Sequence, residues 1–299
     1  MDRVIASSVG AFALGAAAFA LGGRRADEPA PRVPARVVSL APSMTETVFA
    51  LGEGRRVVGV SAGVAWPPEA LGVLQVGGYL DADVEAITGL APDLVLVQGL
   101  HAYVTEQARE LGIAVRRIEM NTLAEIERAT AEIGAALGVP DAAEALTSRV
   151  RGELEEVRAR ARGRRPLRTF LHVAYGVSLP EPPFLTAGRG TFLTEVLGVA
   201  GGANVFADLA RPFPEVTVEA IVERAPEVVV VSLPGAKISP EDAEAIRAAW
   251  RRILPARDGV AAGERGEVRV VFLTADCAQV PGPRVGLLAR EMERSLWGE

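Results

Sequence analysis

One cysteine, one lysine and two histidines are all that 299 residues contain of those types. With Cys277 alone, no intrachain disulfide can form, and no cysteine follows the apolar N-terminal run to carry a lipid. The histidines, His101 and His172, are too few and too scattered for a metal cluster, and no metal-ligand spacing of His, Cys and carboxylates is present. No Ser, His and acid set and no glycine-rich phosphate loop after a strand stands out, so nothing points to an enzyme. His172, inside the apolar stretch "RTFLHVA", reads as a satisfied core residue. A net charge of −6 gives no support to a phosphate-binding surface, which argues against nucleic acid as a partner.

The composition, 49% hydrophobic and 23% charged, is that of a globular protein with room for roughly two domains. Residues 4–23, "VIASSVGAFALGAAAFALGG", are apolar without a polar face, and the polar, Pro-rich "RRADEPAPRVPA" follows. Such a run is expected to act as an export signal and tether over residues 1–35, either cut after an Ala-Phe-Ala ending at Ala20 or retained as an anchor.

Beyond it, a segment occurs twice. "VEAITGLAPDLVLV" starts at Val84 and "VEAIVERAPEVVVV" at Val218, 218 − 84 = 134 residues apart and alignable without a gap. That spacing is too long for a solenoid period and implies a duplicated lobe. Short β-branched runs ("RVVSL", "VVGVS", "DLVLVQ", "IAVRRIE") alternate with helical patterns. The expected class is therefore α/β, two doubly wound lobes with parallel sheets. Ser43 or Thr45 is expected to cap the first helix, with Asp83 and Thr217 capping the paired short ones. "DAAEALTSRVRGELEEVRARAR", 22 residues without proline, spans about 33 Å as a helix. It is long enough to carry the chain from one lobe to the other. The expected division is a first lobe over 36–138, a backbone helix over 139–165 and a second lobe over 166–299.

Several stretches resemble one family. "RVVSLAPSMTETVFALG", "PPFLTAG", "GGANVF" and "LTADCAQVPGPRV" are similar, in order and spacing, to extracytoplasmic substrate-binding proteins of ABC importers, in the branch whose lobes are joined by one long helix. The likeness is strongest to the cobalamin-binding members. It implies a cleft between lobes that move little, a corrinoid ligand captured there and passed to a permease, and an extracytoplasmic location. The implied ligand is a cobalt or iron chelate rather than a resident cofactor. The alternative is haem or a ferric siderophore, and a tethered sensor is a further rival. By the same resemblance, Glu85 and Glu219 are the acidic pair that docks on arginines of a dimeric permease. Their place in the first turn of a short helix suits an exposed carboxylate.

The repeat also pairs two rings, Tyr79 and Phe213, each six residues ahead of its glutamate. Loops entering such helices open on the crevice of a doubly wound sheet, so both rings are expected to face ligand, with Trp66 as a third. Trp250 and Trp297 read as core residues on helices. The resemblance adds Asp276 and Arg284 in the last loop, and Arg189 more weakly. For haem, Tyr79 is the candidate axial ligand. The chain departs from the cobalamin binders at Tyr79, Gln98, Phe213 and Cys277, where those carry tryptophan.

Overall fold

The computed structural model describes residues 33–78, 81–99, 101–254 and 266–298. The expected export run and Tyr79 lie outside them. The chain enters β1 (Val37–Ser39), α1 (Pro42–Ala50), β2 (Val57–Val60), α2 (Val84–Gly89), β3 (Leu94–Val97), α3 (Ala102–Glu110) and β4 (Ala114–Arg117). The strands form a parallel sheet in the order β2-β1-β3-β4. Two helices follow, α4 (Leu123–Leu137) and α5 (Pro140–Ala161). The second half comprises β5 (Leu167–Val173), β6 (Phe184–Leu185), α6 (Phe192–Val199), β7 (Gly202–Asn204), β8 (Glu215–Val216), α7 (Val218–Arg224), β9 (Val228–Ser232), α8 (Pro240–Ile253), β10 (Arg269–Leu273) and α9 (Val285–Trp297). Its parallel sheet runs β10-β9-β5-β7. Leaving aside β6 and β8, which pair antiparallel with each other, the strands of both sheets stand in the same order: second, first, third, fourth. The duplication read from sequence is thus a duplication of topology.

One apolar core joins the halves. It runs from Val37, Met44 and Leu96 of the first sheet and α1, through Ile133 of α4 and Val150 and Leu154 of α5, to Leu197, Val230 and Leu288 of the second. The buried stripe of α5 (Ala143, Leu146, Val150, Leu154, Val157) recurs every three or four residues, which sets one helical face against this core and leaves the charges outside. Proline at the first turn of α5 suits a start where no amide partner is needed, and the left-handed Gly138 closes α4 just before it. A Cβ on Gly134 would meet that of Ala143 at 2.5 Å, so α4 and α5 approach as closely as they do only because that position is glycine. Near the other end of α5, Arg160 donates three hydrogen bonds of 2.7–2.9 Å to the buried Glu293 of α9. The remaining face of each sheet has its own cluster. Val38, Val95 and Ile87 of α2 lie under the first, and Phe170, Val229, Trp250 and Ile221 of α7 under the second.

The caps at Asp83 and Thr217 form as expected, accepting from Ala86 N at 3.0 Å and Ala220 N at 3.4 Å. Other expectations are corrected. Neither Ser43 nor Thr45 caps α1, because the helix starts at Pro42. Thr45 instead turns its buried hydroxyl to Ser39 Oγ at 2.9 Å. Helix α6 ends at Val199, and Gly202–Asn204 form an edge strand that the sequence pattern does not announce. His172 does sit among rings, within 5.5 Å of Phe184 and Trp250, but it is not satisfied. Its Nδ1 and Trp250 Nε1 have no hydrogen-bond partner among the described residues.

Burial pushes the His172 imidazole down to about 4 from an ordinary 6.5. A depressed folded-state value means that the native state favours the neutral ring. Its contribution is therefore complete above pH 6.5 and is lost as pH falls toward 4, by about 3 kcal/mol in all. His172→Phe should shrink the difference in unfolding free energy between pH 7 and pH 4 by up to that amount, measured by urea unfolding at both values.

Candidate functional site

Parallel sheets of this kind open their crevice at the carboxyl ends of the strands, and there the two halves meet at two seams. At the first, Glu46 of α1, only 3% exposed, faces Arg284 at the start of α9. Arg284 donates from Nε to Glu46 Oε2 at 2.9 Å and from Nη2 to Oε1 at 2.6 Å, a two-pronged pair across 238 residues of sequence. Its Nη1 donates to Asp276, beyond β10, at 2.6 Å. Each of the three guanidinium nitrogens thus donates to a carboxylate, leaving one N–H on each Nη and the flat face. That face lies 5.1 Å from the Trp66 ring. Burial pushes the Glu46 carboxyl above its ordinary value, and the hydrogen bond and charge of Arg284 oppose the rise. Burial likewise works against the charge on Arg284. The hydrogen bond and charge of Glu46 and the hydrogen bond of Asp276 outweigh it and hold the guanidinium above its usual range. The pair is ionised on geometry alone: two short, parallel bonds need a carboxylate.

At the second seam, Asn121, just past β4, accepts from Phe192 N at 2.5 Å, and Glu195 of α6 accepts from Leu123 N at 2.6 Å. A carboxylate from one half thereby serves the first turn of α4 in the other. Against the first seam lies a cavity of about 420 Å³, lined by Glu46, Phe49, Trp66, Arg149 and Arg284 among others. A second hollow of about 470 Å³, beside α3, has no seam residue in its lining.

Of the residues expected to bind ligand, Trp66, Asp276 and Arg284 come together at the first seam. Trp66 is 42% exposed, a large apolar surface to leave in water. Phe213, 41% exposed, stands in the loop before β8. Arg189 turns to its own half instead, donating from Nη2 to the Asp208 carbonyl at 3.0 Å. Gln98 and Cys277 are buried, and burial raises the thiol to about 12. Two groups are absent from the expectations. Glu46 is one, hidden inside an apolar helix segment. The other is the loop after β5, where Tyr175 is 88% exposed and Val177 and Leu179 are also bared to solvent. Position at the carboxyl end of a central strand could have marked Tyr175. Glu85 and Glu219 are exposed, each the second residue of its helix, and neither forms an ion pair among the described residues. Both helices pack on the outer sheet faces, away from the shared core. At Glu219, a backbone hydrogen bond and the Thr217 hydroxyl hold the carboxyl below its ordinary value.

Residues 37–253 match the family model described as periplasmic binding protein. The chain belongs to that family. A vitamin B12-binding protein of Vibrio cholerae is 30% identical over 199 residues, 66% of this chain and 70% of that relative. Among solved structures, the periplasmic vitamin B12 binding protein of Vibrio cholerae superposes with a TM-score of 0.71 at 26% identity, covering 88% of this chain and 97% of that one. A periplasmic heme-binding protein of Roseiflexus, in apo form, gives 0.70 at 25%, covering 88% and 98%. The family is one of binding proteins, not of enzymes, and the two parallel sheets with a long connecting helix are its fold as expected from sequence.

Removing one member of a buried ion pair strands the other. Glu46→Ala should lower the unfolding free energy by about 3 kcal/mol, and Glu46→Gln by less, in urea titration at pH 7. An unchanged midpoint for Glu46→Ala would contradict the buried pair.

Proposed function

We propose that this protein is the extracytoplasmic solute-binding component of an ABC importer, that it captures a corrinoid between its two halves, and that it delivers it to the permease. The observation that carries the ligand class is the floor at the first seam. Glu46, Asp276 and Arg284 sum to one formal negative charge, each nitrogen of Arg284 donates to one of these carboxylates, and Trp66 offers a ring beside it. Such a floor suits a large macrocycle held by aromatic faces, with Arg55 and Arg149 also lining the cavity. The 30% identity to a vitamin B12-binding protein supports the same choice. Phe213 and Tyr175 would supply further rings from the second half.

Haem is the second reading, favoured by the heme-binding structural relative at 25% identity. On it, Tyr79 would be the axial ligand, and Trp66 would lie against the macrocycle. The sequence suggests no resident cofactor under either reading.

Delivery would use Glu85 and Glu219. They stand on the two topologically equivalent helices, exposed and without an ion pair among the described residues, as a two-point contact for arginines of a two-fold permease requires. The N-terminal segment would direct export, whether cut or kept as a tether.

The ligand is tested by titrating cyanocobalamin, cobinamide and haemin into purified protein, followed by absorbance and calorimetry. One corrinoid per chain is expected, weakened about tenfold in Trp66→Ala. Binding of haemin alone would establish the second reading. In cells, replacing both Glu85 and Glu219 by alanine should reduce corrinoid uptake on the order of tenfold or more while leaving ligand affinity unchanged. Undiminished uptake would remove the docking assignment.

A further inference from the structure

The repeat contains a second duplicated device, at the opposite end of the glutamate helices. In the first half, Arg36, immediately before β1, donates from Nε to the carbonyl of Leu90, the residue that ends α2, at 2.8 Å. In the second half Arg168, the second residue of β5, stands immediately before the stretch of β5 that pairs with β9. Its Nη2 donates to the Arg224 carbonyl and its Nε to that of Ala225 at 3.4 Å. Leu90 and Arg224 are equivalent, 224 − 90 = 134, the period of the repeat. The acid of each Ala-Pro-acid triplet closes the device from below. Asp93 Oδ2 accepts from Arg36 N at 2.9 Å, and Glu227 Oε2 from Arg168 N at 3.0 Å. The backbone amides of the same acids donate to the carbonyls of the same arginines at 2.8 and 2.7 Å. Between helix and acid, Ala91 and Ala225 both hold φ in the left-handed region, at 44° and 51°, where alanine is strained. The same strain in both copies needs a surrounding that imposes it.

Helices of six and seven residues are far below the length that is stable by itself. Their direction must be fixed from their ends. The N-terminal caps Asp83 and Thr217 fix one end, and the arginines fix the other, Arg36 by one hydrogen bond and Arg168 by two. Because each arginine holds the C-terminal end at the amino edge of its sheet, the N-terminal end points toward the carboxyl edge. We infer that Arg36 and Arg168 are positioning residues for permease docking, setting the direction of α2 and α7 and hence the separation of Glu85 and Glu219. This rests on the docking reading above.

The test is the affinity of the whole protein for its ABC permease in detergent, with cyanocobalamin affinity and melting temperature as controls. Arg36→Lys and Arg168→Lys keep the charge but lose the planar guanidinium that makes these bonds. Each should weaken permease binding at least fivefold, with unchanged ligand affinity. Arg168→Ala made on a Glu219→Ala background should add no further weakening, because the arginine acts through that carboxylate. Lysine variants that bind like wild type, while Glu85→Ala and Glu219→Ala weaken binding, would overturn the inference and leave docking standing. Equal weakening by Arg168→Ala on both backgrounds would show a merely structural role and overturn it too. Glutamate variants without effect would remove the docking reading and this inference together.

Discussion

The apolar core that passes through α5 is the constraint on which the rest depends. Two sheets that each buried only their own residues would be separate bodies on a tether, free to hinge. Here Val150 and Leu154 of α5 lie in the same cluster as Met44 of the first half and Leu288 of the second. Moving the halves apart would expose that cluster to water at roughly 25 cal/mol for each Å² of apolar surface. The cleft is accordingly preformed, and ligand is expected to enter without a large closure. Polar groups at the two seams then fix the register of one half on the other: Arg284 on Glu46, and Glu195 on the first turn of α4.

A preformed floor has chemical consequences. A buried arginine with all its donors free would select for anions. Arg284 commits three of its five N–H donors to two carboxylates and stacks on an indole beside the cavity. The same atoms that hold the halves together thus set the character of the site. Outside the cleft, the duplication would serve the proposed docking. Equivalent short helices in the two halves carry equivalent acids, each fixed at both ends, and a binding protein that must meet a two-fold partner gains from that symmetry.

Sequence patterns reached as far as local chemistry extends. The gapless match of Val84 and Val218 with their following residues foretold the common strand order, and the caps at Asp83 and Thr217 are local devices visible in a few letters. The length of α5 was legible because an unbroken, proline-free run leaves few other options. β7 was not, since Gly-Ala-Asn after a helix carries neither β-branching nor alternation and becomes a strand only by pairing with β5. Thr45 resembles a cap in isolation, but Pro42 starts the helix before it. Glu46 was illegible for a deeper reason. Its partner is 238 residues away, and a glutamate within a helix reads as a solvated position until that partner is seen. Asp276 and Arg284 were reached only through family likeness, which brought them forward as ligand contacts and gave no sign that they are first of all each other's partners. Arg36 and Arg168 stand among many arginines, and only the fold marks them out.

The central claim is that both halves grip one guest at the first seam. Hydrogen–deuterium exchange with and without saturating cyanocobalamin tests it most directly. The account predicts slowed exchange in peptides covering residues 61–70 and in those covering 274–286, together and at the same ligand concentration, with α5 unchanged. Protection confined to one half, or none at either segment despite bound ligand, would contradict it.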